Sequence, residues 1–483
     1  MGDPHGFLHI PFVPEPKRPP GQRLRDHKMI FELMPVDEVG RQARRCMNCG
    51  VPFCQHGCPV GNRIPRWNDL VGTGRWREAL EQLHATNNFP EFTGYICPAP
   101  CEAACVLEIN DDPVTIKQVE LEIIERGWRE GWVRPRPPES RSGRRVAVIG
   151  SGPAGLAAAA QLNSLGHAVT VYERSEAIGG LMRLGVPDFK LEKWVIDRRV
   201  EVLREEGIDF HTGTEIGSDV TVEDVLTGHD ALVLTIGALR ERPLDVPGAE
   251  LGGVHFAMEY LAGRNRLIAR AEGRDAGEPP QDPITATGKR VAVIGGGDTA
   301  ADCVASALRE QAVEVVQLDR YPRPDGSQTR ELVDWPATPR RMPSTYALEE
   351  GGTRHFAETV TGLAGTDGRV QQLRGATVGE PPDFTPHECS EFLRPVDLVL
   401  VAVGFLGPEQ PLVDALQLAL HTGGEIRADD FATTTSGVFT AGDARLGASL
   451  VVTAIDDGRK CATAVDQFLR TSRPGHRGDA RSS

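Results

Sequence analysis

The sequence predicts an α/β chain in which two Rossmann-like nucleotide-binding domains follow a helical, cysteine-rich domain. Three observations carry this: a strand–glycine–helix unit starting at Val146, a second starting at Val291, and seven of the ten cysteines packed between Cys46 and Cys105. The 483 residues leave room for about three domains at roughly 150 residues each. Apolar and charged fractions of 40% and 25% are those of a globular chain.

In the first unit the β-branched run Val146–Ile149 reads as a buried strand that ends on Gly150, Gly152 and Gly155. Gly150 permits a tight turn, Gly152 lets backbone N–H groups approach a pyrophosphate, and Gly155 lets the following helix pack on the strand. The positive end of that helix then faces the phosphates. A second strand, Val169–Tyr172, ends on Glu173, an acid placed to accept hydrogen bonds from a ribose diol. A glycine triplet alone is weak evidence, whereas strand, glycines, helix, strand and acid in register are a specific signal for a dinucleotide.

The net charge of −15 argues against a nucleic-acid or anionic-membrane partner, either of which needs a basic footprint. No apolar stretch is long enough to cross a bilayer, and MGDPHGFLHIPF lacks the basic start and apolar run of a signal peptide. A cytoplasmic location is expected, where clustered cysteines bind metal rather than form disulfides.

The cysteine region begins after a Pro-rich extended segment, Pro11–Pro20, and a helix over Asp37–Arg45. Cys46, Cys49, Cys54 and Cys58 form C-x2-C-x4-C-x3-C-P, and Cys97, Cys101 and Cys105 form C-x3-C-x3-C. Thiolates this dense suit zinc or iron–sulfur clusters. Zinc prefers paired C-x2-C knuckles in fours, so two zinc sites would call for about eight good ligands. The first run instead resembles a ferredoxin motif whose last cysteine, followed by Pro59, crosses to the other cluster. That pairing puts Cys46, Cys49 and Cys54 on one cluster and Cys58, Cys97, Cys101 and Cys105 on a second, leaving the first one ligand short.

A Pro/Ser/Arg-rich stretch, RPRPPESRSG, reads as a linker before the first nucleotide unit. Beyond that unit, Gly179 and Gly180 mark a close-packed loop, and the strand from Ala231 carries Gly237 back to the sheet. The second unit has Gly295, Gly297 and Ala300 as G-x-G-x-x-A, and its second strand places Asp319 where Glu173 stood in the first. Asp319 favours the free ribose diol of NADH, while Arg320 and Arg323 could pair with the 2′-phosphate of NADPH or simply solvate a loop. After Gly404, with the strand Asp397–Gly404 leading in, the chain reads as a return to the first domain. The segment Thr433–Ala444 then resembles the closing motif of two-domain flavoprotein reductases. In those enzymes the Asp after Ala-Gly contacts the ribityl chain of FAD, so Gly442 and Asp443 join the candidate flavin site. A helix from Ser449 would aim its N-terminus at the flavin ring.

The run TNNFPEFTGYICPAPCEAACVLEINDDPVTIKQVE, Thr86–Glu120, resembles the N-terminal domain of the glutamate synthase small-subunit family, which is related to the N-terminal half of dihydropyrimidine dehydrogenase. The likeness extends through both nucleotide units to the Ala-Gly-Asp segment. It implies a two-dinucleotide-binding flavoprotein behind a helical domain with two 4Fe–4S clusters, one completed by an oxygen ligand. Ile116–Glu120 matches the family segment that supplies that ligand, making Glu120 the candidate. The resemblance further implies FAD and NADPH, or NADH, as cofactors, with NADPH favoured. It implies a hetero-oligomer with a large (alpha) subunit carrying FMN, where glutamine and 2-oxoglutarate become glutamate. No side chain is assigned a catalytic acid–base role.

From the family pattern one expects Arg near Tyr95, Tyr near Leu184, Gly at Ala300, and Gln and Trp at Ala448 and Thr453. These departures leave room for another acceptor, so a stand-alone or differently partnered NAD(P)H:acceptor oxidoreductase is the alternative, and a zinc-holding regulatory subunit a further one. No closely spaced cysteine pair follows Gly150, since Cys303, Cys389 and Cys461 are isolated, which argues against disulfide reduction. The domains expected are 1–140 (iron–sulfur), 141–255 (FAD, first part), 256–425 (nicotinamide nucleotide), 426–470 (FAD, second part) and a disordered tail, 471–483.

Overall fold

The computed structural model describes residues 4–324 and 345–471. The tail expected from 471 onward therefore falls, after Thr471, outside the described residues.

The first sheet is parallel throughout. Arg145–Ile149 lies at its centre, flanked on one side by Ala168–Tyr172 and Asp209–His211 and on the other by Ala231–Leu234 and Val438–Thr440. Its central strands are apolar on both faces because helices cover both, as parallel sheets require. Pro153–Ser164, rich in Ala and Leu, packs against the long helix Val451–Thr471. A β-carbon on Gly458 would lie 2.2 Å from Ala154 O, so only glycine allows these two helices to approach this closely.

The second sheet repeats the pattern, with Arg290–Ile294 flanked by Glu314–Asp319 and Thr353–Phe356 on one side and Leu398–Val401 and Val254–Phe256 on the other. Leu398–Val401, inside the expected nicotinamide-nucleotide segment, pairs with Arg290–Ile294, and its apolar residues fill the second core. The return follows immediately: Val413, Leu416, Leu418 and Ile426 pack with Ile149 and Leu232. Residues 410–425 therefore belong with the first sheet, not with the nicotinamide-nucleotide segment 256–425. A three-stranded antiparallel sheet, Glu358–Thr366, Arg369–Thr377 and Phe392–Pro395, lies against the second sheet and has no counterpart in the sequence reading.

The N-terminal region is helical, with Ile64–Gly72, Trp76–His84 and Ile116–Arg129 burying Trp67, Leu83 and Ile123 in a core continuous with that of the first nucleotide domain. The segment before it crosses to the second nucleotide domain. Ile30 is fully buried in that domain's core, its N–H donates to Phe189 O at 2.8 Å, and Lys17 and Arg23 pair with Glu349 at 2.7 and 3.0 Å. The 1–140 segment thus includes a strap that fastens a domain far away in sequence.

Candidate functional site

A cleft of about 930 Å³ opens between the two nucleotide units. Gly150, Ser151 and Gly152 line one side with Glu173, Gly180, Gly237 and Asp443; Asp298, Thr299 and Asp302, from the start of the helix behind the second glycine loop, line the other. Gly155 stands behind the wall, where a β-carbon would lie 2.1 Å from Gly150 O and 2.6 Å from Thr235 Oγ1. At Gly152 and Gly297, in contrast, a β-carbon would meet nothing within 4 Å. Each is the N-cap of its helix, and neither cap bond comes from a side chain. Two uncapped helix starts thus face open space, the arrangement a pyrophosphate needs.

Glu173 is buried on the cleft wall. Its Oε2 accepts hydrogen bonds from Ser151 N at 3.0 Å and Ser151 Oγ at 2.6 Å, and its Oε1 accepts one from Ser175 N at 2.9 Å. The glycine loop and the acid are therefore one unit, through a serine that the glycine pattern treats as a spacer. Asp443 accepts from Ser449 N at 3.1 Å and Ser449 Oγ at 2.6 Å, and burial pushes its carboxyl up to about 6. The N–H of Gly442 donates to Asp457 at 2.7 Å, which fixes the loop on the following helix. That helix starts at Val451, two residues later than expected, and Val451 and Ala454 line the cleft. Of the departures noted above, Leu184 lines the cleft and Tyr95 is buried beside Glu125; Ala448 and Thr453 are not among the lining residues.

In the second unit Ala300 is fully buried in the helix–strand packing. Gly295, at φ +137°, would put a β-carbon 2.2 Å from Ala402 O. Asp319 does not face the cleft as an open acceptor. It is 1% exposed, tucked under Gly296, and paired with Arg354 at 2.7 Å. Arg354 also donates to Gly296 O at 3.1 Å, tying strand end and glycine loop together. Arg320 is exposed, with its guanidinium 4.4 Å from the Phe384 ring centre, and Arg323 is exposed nearby. Arg354 lies 35 residues from Asp319, and no local pattern in the sequence marks it.

The cysteines surround two cavities. Cys46, Cys49, Cys54 and Cys105 line one, among Phe53, Ile64, Leu107 and Ile116; Cys58, Cys97, Cys101 and Glu120 line the other. The expected partition, with Cys105 beside Cys58, Cys97 and Cys101, is therefore corrected. The short helix Pro100–Ala103 ends before Cys105, which adopts an extended conformation (φ −68°, ψ 131°), so the helical spacing from Cys101 is broken and the thiol turns to the opposite side. Cys58 does the same after Phe53–Gly57, at φ −91° and ψ 117°. The two helices pack together, a β-carbon on Gly57 falling 2.5 Å from Ala104 Cβ, and each sends one cysteine to each cavity. The cavity that lacks a fourth thiol is the one that Glu120 lines.

Burial pushes the Cys46 thiol up to about 11 and those of Cys58 and Cys97 to about 12, with Cys54, Cys101 and Cys105 also raised. Buried thiols at this density call for a cationic centre that displaces their protons. Among the described residues no three His, Cys, Asp or Glu side chains converge on a single ion. The donors instead ring a void, as iron–sulfur ligands do.

The cavities and the cleft are in sequence. Val452 lines the Glu120 cavity one residue from Val451, which lines the cleft, and Ile96 and Pro98 line the cleft on either side of Cys97. The four-cysteine cavity lies farther out, and Cys46 and Cys49 are its partly exposed members.

Comparison with known proteins agrees with this architecture. Residues 23–132 match the model of dihydropyrimidine dehydrogenase domain II, 4Fe–4S cluster, and residues 144–458 match that of pyridine nucleotide-disulphide oxidoreductases. A Mycobacterium tuberculosis protein named glutamate synthase (NADPH) small chain is 51% identical over 98% of this chain and 97% of its own length. The chain belongs to the glutamate synthase small-chain family. A Bacillus subtilis member of the family is 42% identical over 98% of this chain and 99% of its own. Among solved structures, Mycobacterium tuberculosis FprA in complex with NADPH covers 69% of this chain with 85% of its own, at a TM-score of 0.52 and 18% identity, a likeness of fold. Among the described residues no helix is long and apolar enough to cross a membrane.

Proposed function

We propose that the chain is the electron-input subunit of an NADPH-dependent glutamate synthase. The reading holds FAD on the Gly150–Gly155 loop, NADPH against the Gly295–Ala300 unit, and two 4Fe–4S clusters in the cysteine cavities. The observation that carries it is the adjacency of cleft and cavities: one cleft touches both glycine units and adjoins the Glu120 cavity through Val451 and Val452. When bound, these cofactors supply two-electron transfer between nicotinamide and flavin and one-electron transfer onward.

The chain's own residues bind, orient and shield. The N–H groups after Gly152 would hold the flavin pyrophosphate, Glu173 would accept from the adenosine ribose, and Asp443 would face the ribityl hydroxyls. The start of Val451–Thr471 would support negative charge on a flavin ring bound in the cleft. In the nicotinamide unit Arg354 cancels the charge of Asp319, which removes the repulsion a 2′-phosphate would meet, and Arg320 and Arg323 offer cations at the rim. Glu120 stands as the oxygen ligand of the inner cluster and Cys46, Cys49, Cys54 and Cys105 as the ligands of the outer one. The outer position, with two partly exposed cysteines, suits delivery to a large FMN-bearing subunit in a cytoplasmic hetero-oligomer that forms glutamate from glutamine and 2-oxoglutarate.

The test is co-expression with the large subunit of the same organism and anaerobic purification. The two chains are expected to co-elute, with about eight irons per small chain and bound flavin. A colourless small chain eluting alone, with zinc in place of iron, would overturn the reading.

A further inference from the structure

Glu120 is set in a cage of side chains whose arrangement decides which of its oxygens can act. Thr93 Oγ1 donates to Glu120 Oε1 at 2.8 Å, Asn87 Nδ2 at 3.0 Å and Asn62 Nδ2 at 3.4 Å. Among the described residues every hydrogen bond to this carboxylate falls on Oε1. All four side chains are buried, at 5% exposure or less.

The donor directions follow from hydrogen-bond chemistry. The N–H of Phe89 can only donate, and it meets Asn87 Oδ1 at 3.0 Å, so the amide nitrogen of Asn87 must face the other way, toward Glu120. That nitrogen also donates to Thr93 Oγ1 at 2.8 Å, and of the acceptors open to the threonine proton Glu120, at 2.8 Å, is nearer than Pro90 O at 3.3 Å or Phe89 O at 3.5 Å. With the Oδ1 of Asn62 accepting from Thr86 Oγ1 at 2.6 Å, its nitrogen points to the same oxygen. Three segments of chain thus saturate Oε1 and leave Oε2 as the oxygen with lone pairs to offer the cavity that Cys58, Cys97 and Cys101 line.

We infer that Thr93 and Asn87, backed by Asn62, are positioning residues that hold Glu120 as a one-oxygen iron ligand and draw electron density from it. The inference rests on the reading of Glu120 as the fourth ligand of the inner cluster. Donors on the far oxygen weaken the carboxylate's donation to iron, so they favour the reduced cluster and raise its midpoint potential. They also bar the two-oxygen binding that would crowd the site.

The test is a redox titration followed by electron paramagnetic resonance on the anaerobically purified full-length chain, with iron quantified. Thr93→Val keeps the shape and removes the donor; it is expected to move the midpoint of one cluster to lower potential and leave the other in place. Asn62→Ala is expected to move the same midpoint in the same direction by less, and Thr93→Ser to restore it. If Thr93→Val and Asn62→Ala keep both clusters at unchanged midpoints, the positioning role is refuted. If Thr93→Val is recovered without clusters, Asn62→Ala decides the matter alone. Glu120→Ala separates the two claims: loss of iron with one cluster signal altered supports ligation whatever the threonine variant does. Unchanged iron and signals withdraw the ligand reading and this inference together.

Discussion

Replacing Arg354 with methionine tests the nucleotide site through one buried charge. Arg354 and Asp319 have side chains 4% and 1% exposed, lie 2.7 Å apart, and are joined to the glycine loop by the bond from Arg354 to Gly296 O. Methionine keeps much of the stem and removes the charge. Asp319 then loses the guanidinium of Arg354, and breaking a buried ion pair costs about 3–5 kcal/mol where no water can reach. The charge also lies under Gly296 of the glycine loop, so with a nucleotide bound there it would repel a 2′-phosphate and leave a free diol unopposed. Each ~1.4 kcal/mol of repulsion is about a tenfold loss in kcal/mol-to-rate terms, so kcat/KM for NADPH is expected to fall at least tenfold more than that for NADH. The assay is steady-state reduction of an artificial acceptor with each nucleotide, alongside a thermal melt. The double variant Arg354→Met with Asp319→Asn should recover much of the lost stability. An unchanged melt together with an unchanged NADPH-to-NADH ratio would refute the argument.

Other consequences are open to direct measurement. Gly155→Ala puts a methyl 2.1 Å from Gly150 O, an overpacking that costs about 1–3 kcal/mol or more; the flavin-to-protein ratio after purification should fall sharply, and full retention would contradict the packing. In the flavin-free chain Asp443 titrates at about 6, above the ordinary 3.8. Since its folded value is raised, the stability it contributes is present below pH 3.8 and lost as pH rises through about 6. Asp443→Asn should therefore flatten that decline in pH-dependent melts, and an unaltered slope would show that another group sets it. Removing the strap's Arg23 side chain (Arg23→Ala) leaves Glu350 paired with Arg309 and Glu349 held by Lys17 alone; amide exchange in Tyr346–Glu350 is expected to quicken, with the first sheet unaffected.

The glycine units were legible because their chemistry is local: a strand, a turn that excludes a β-carbon and a helix start all fall within about one βαβ unit. The cysteines announced metal in the same way. Their division between two cavities did not, since it depends on where two short helices end, and the three-residue gap between Cys101 and Cys105 reads as one helical face until the extended backbone at Cys105 is seen. Asp319 illustrates a different limit. Its position at the strand end was plain, but its role turns on Arg354 in a neighbouring strand, a pairing that sequence order does not encode. The Asn62, Asn87 and Thr93 cage is composed of residues that usually cap helices or solvate loops, and only their convergence on one oxygen distinguishes them. The strap over the second domain is not legible in the sequence because a Pro-rich segment carries no periodicity to say what it covers.

The most direct test of the central claim is an anaerobic titration of the purified complex with NADPH, following flavin absorbance and cluster resonance together. The account predicts that NADPH bleaches the flavin, that reduced-cluster signals appear with it, and that glutamate forms once glutamine and 2-oxoglutarate are added. A flavin that NADPH leaves oxidised, or clusters that stay silent while the flavin is reduced, would contradict it.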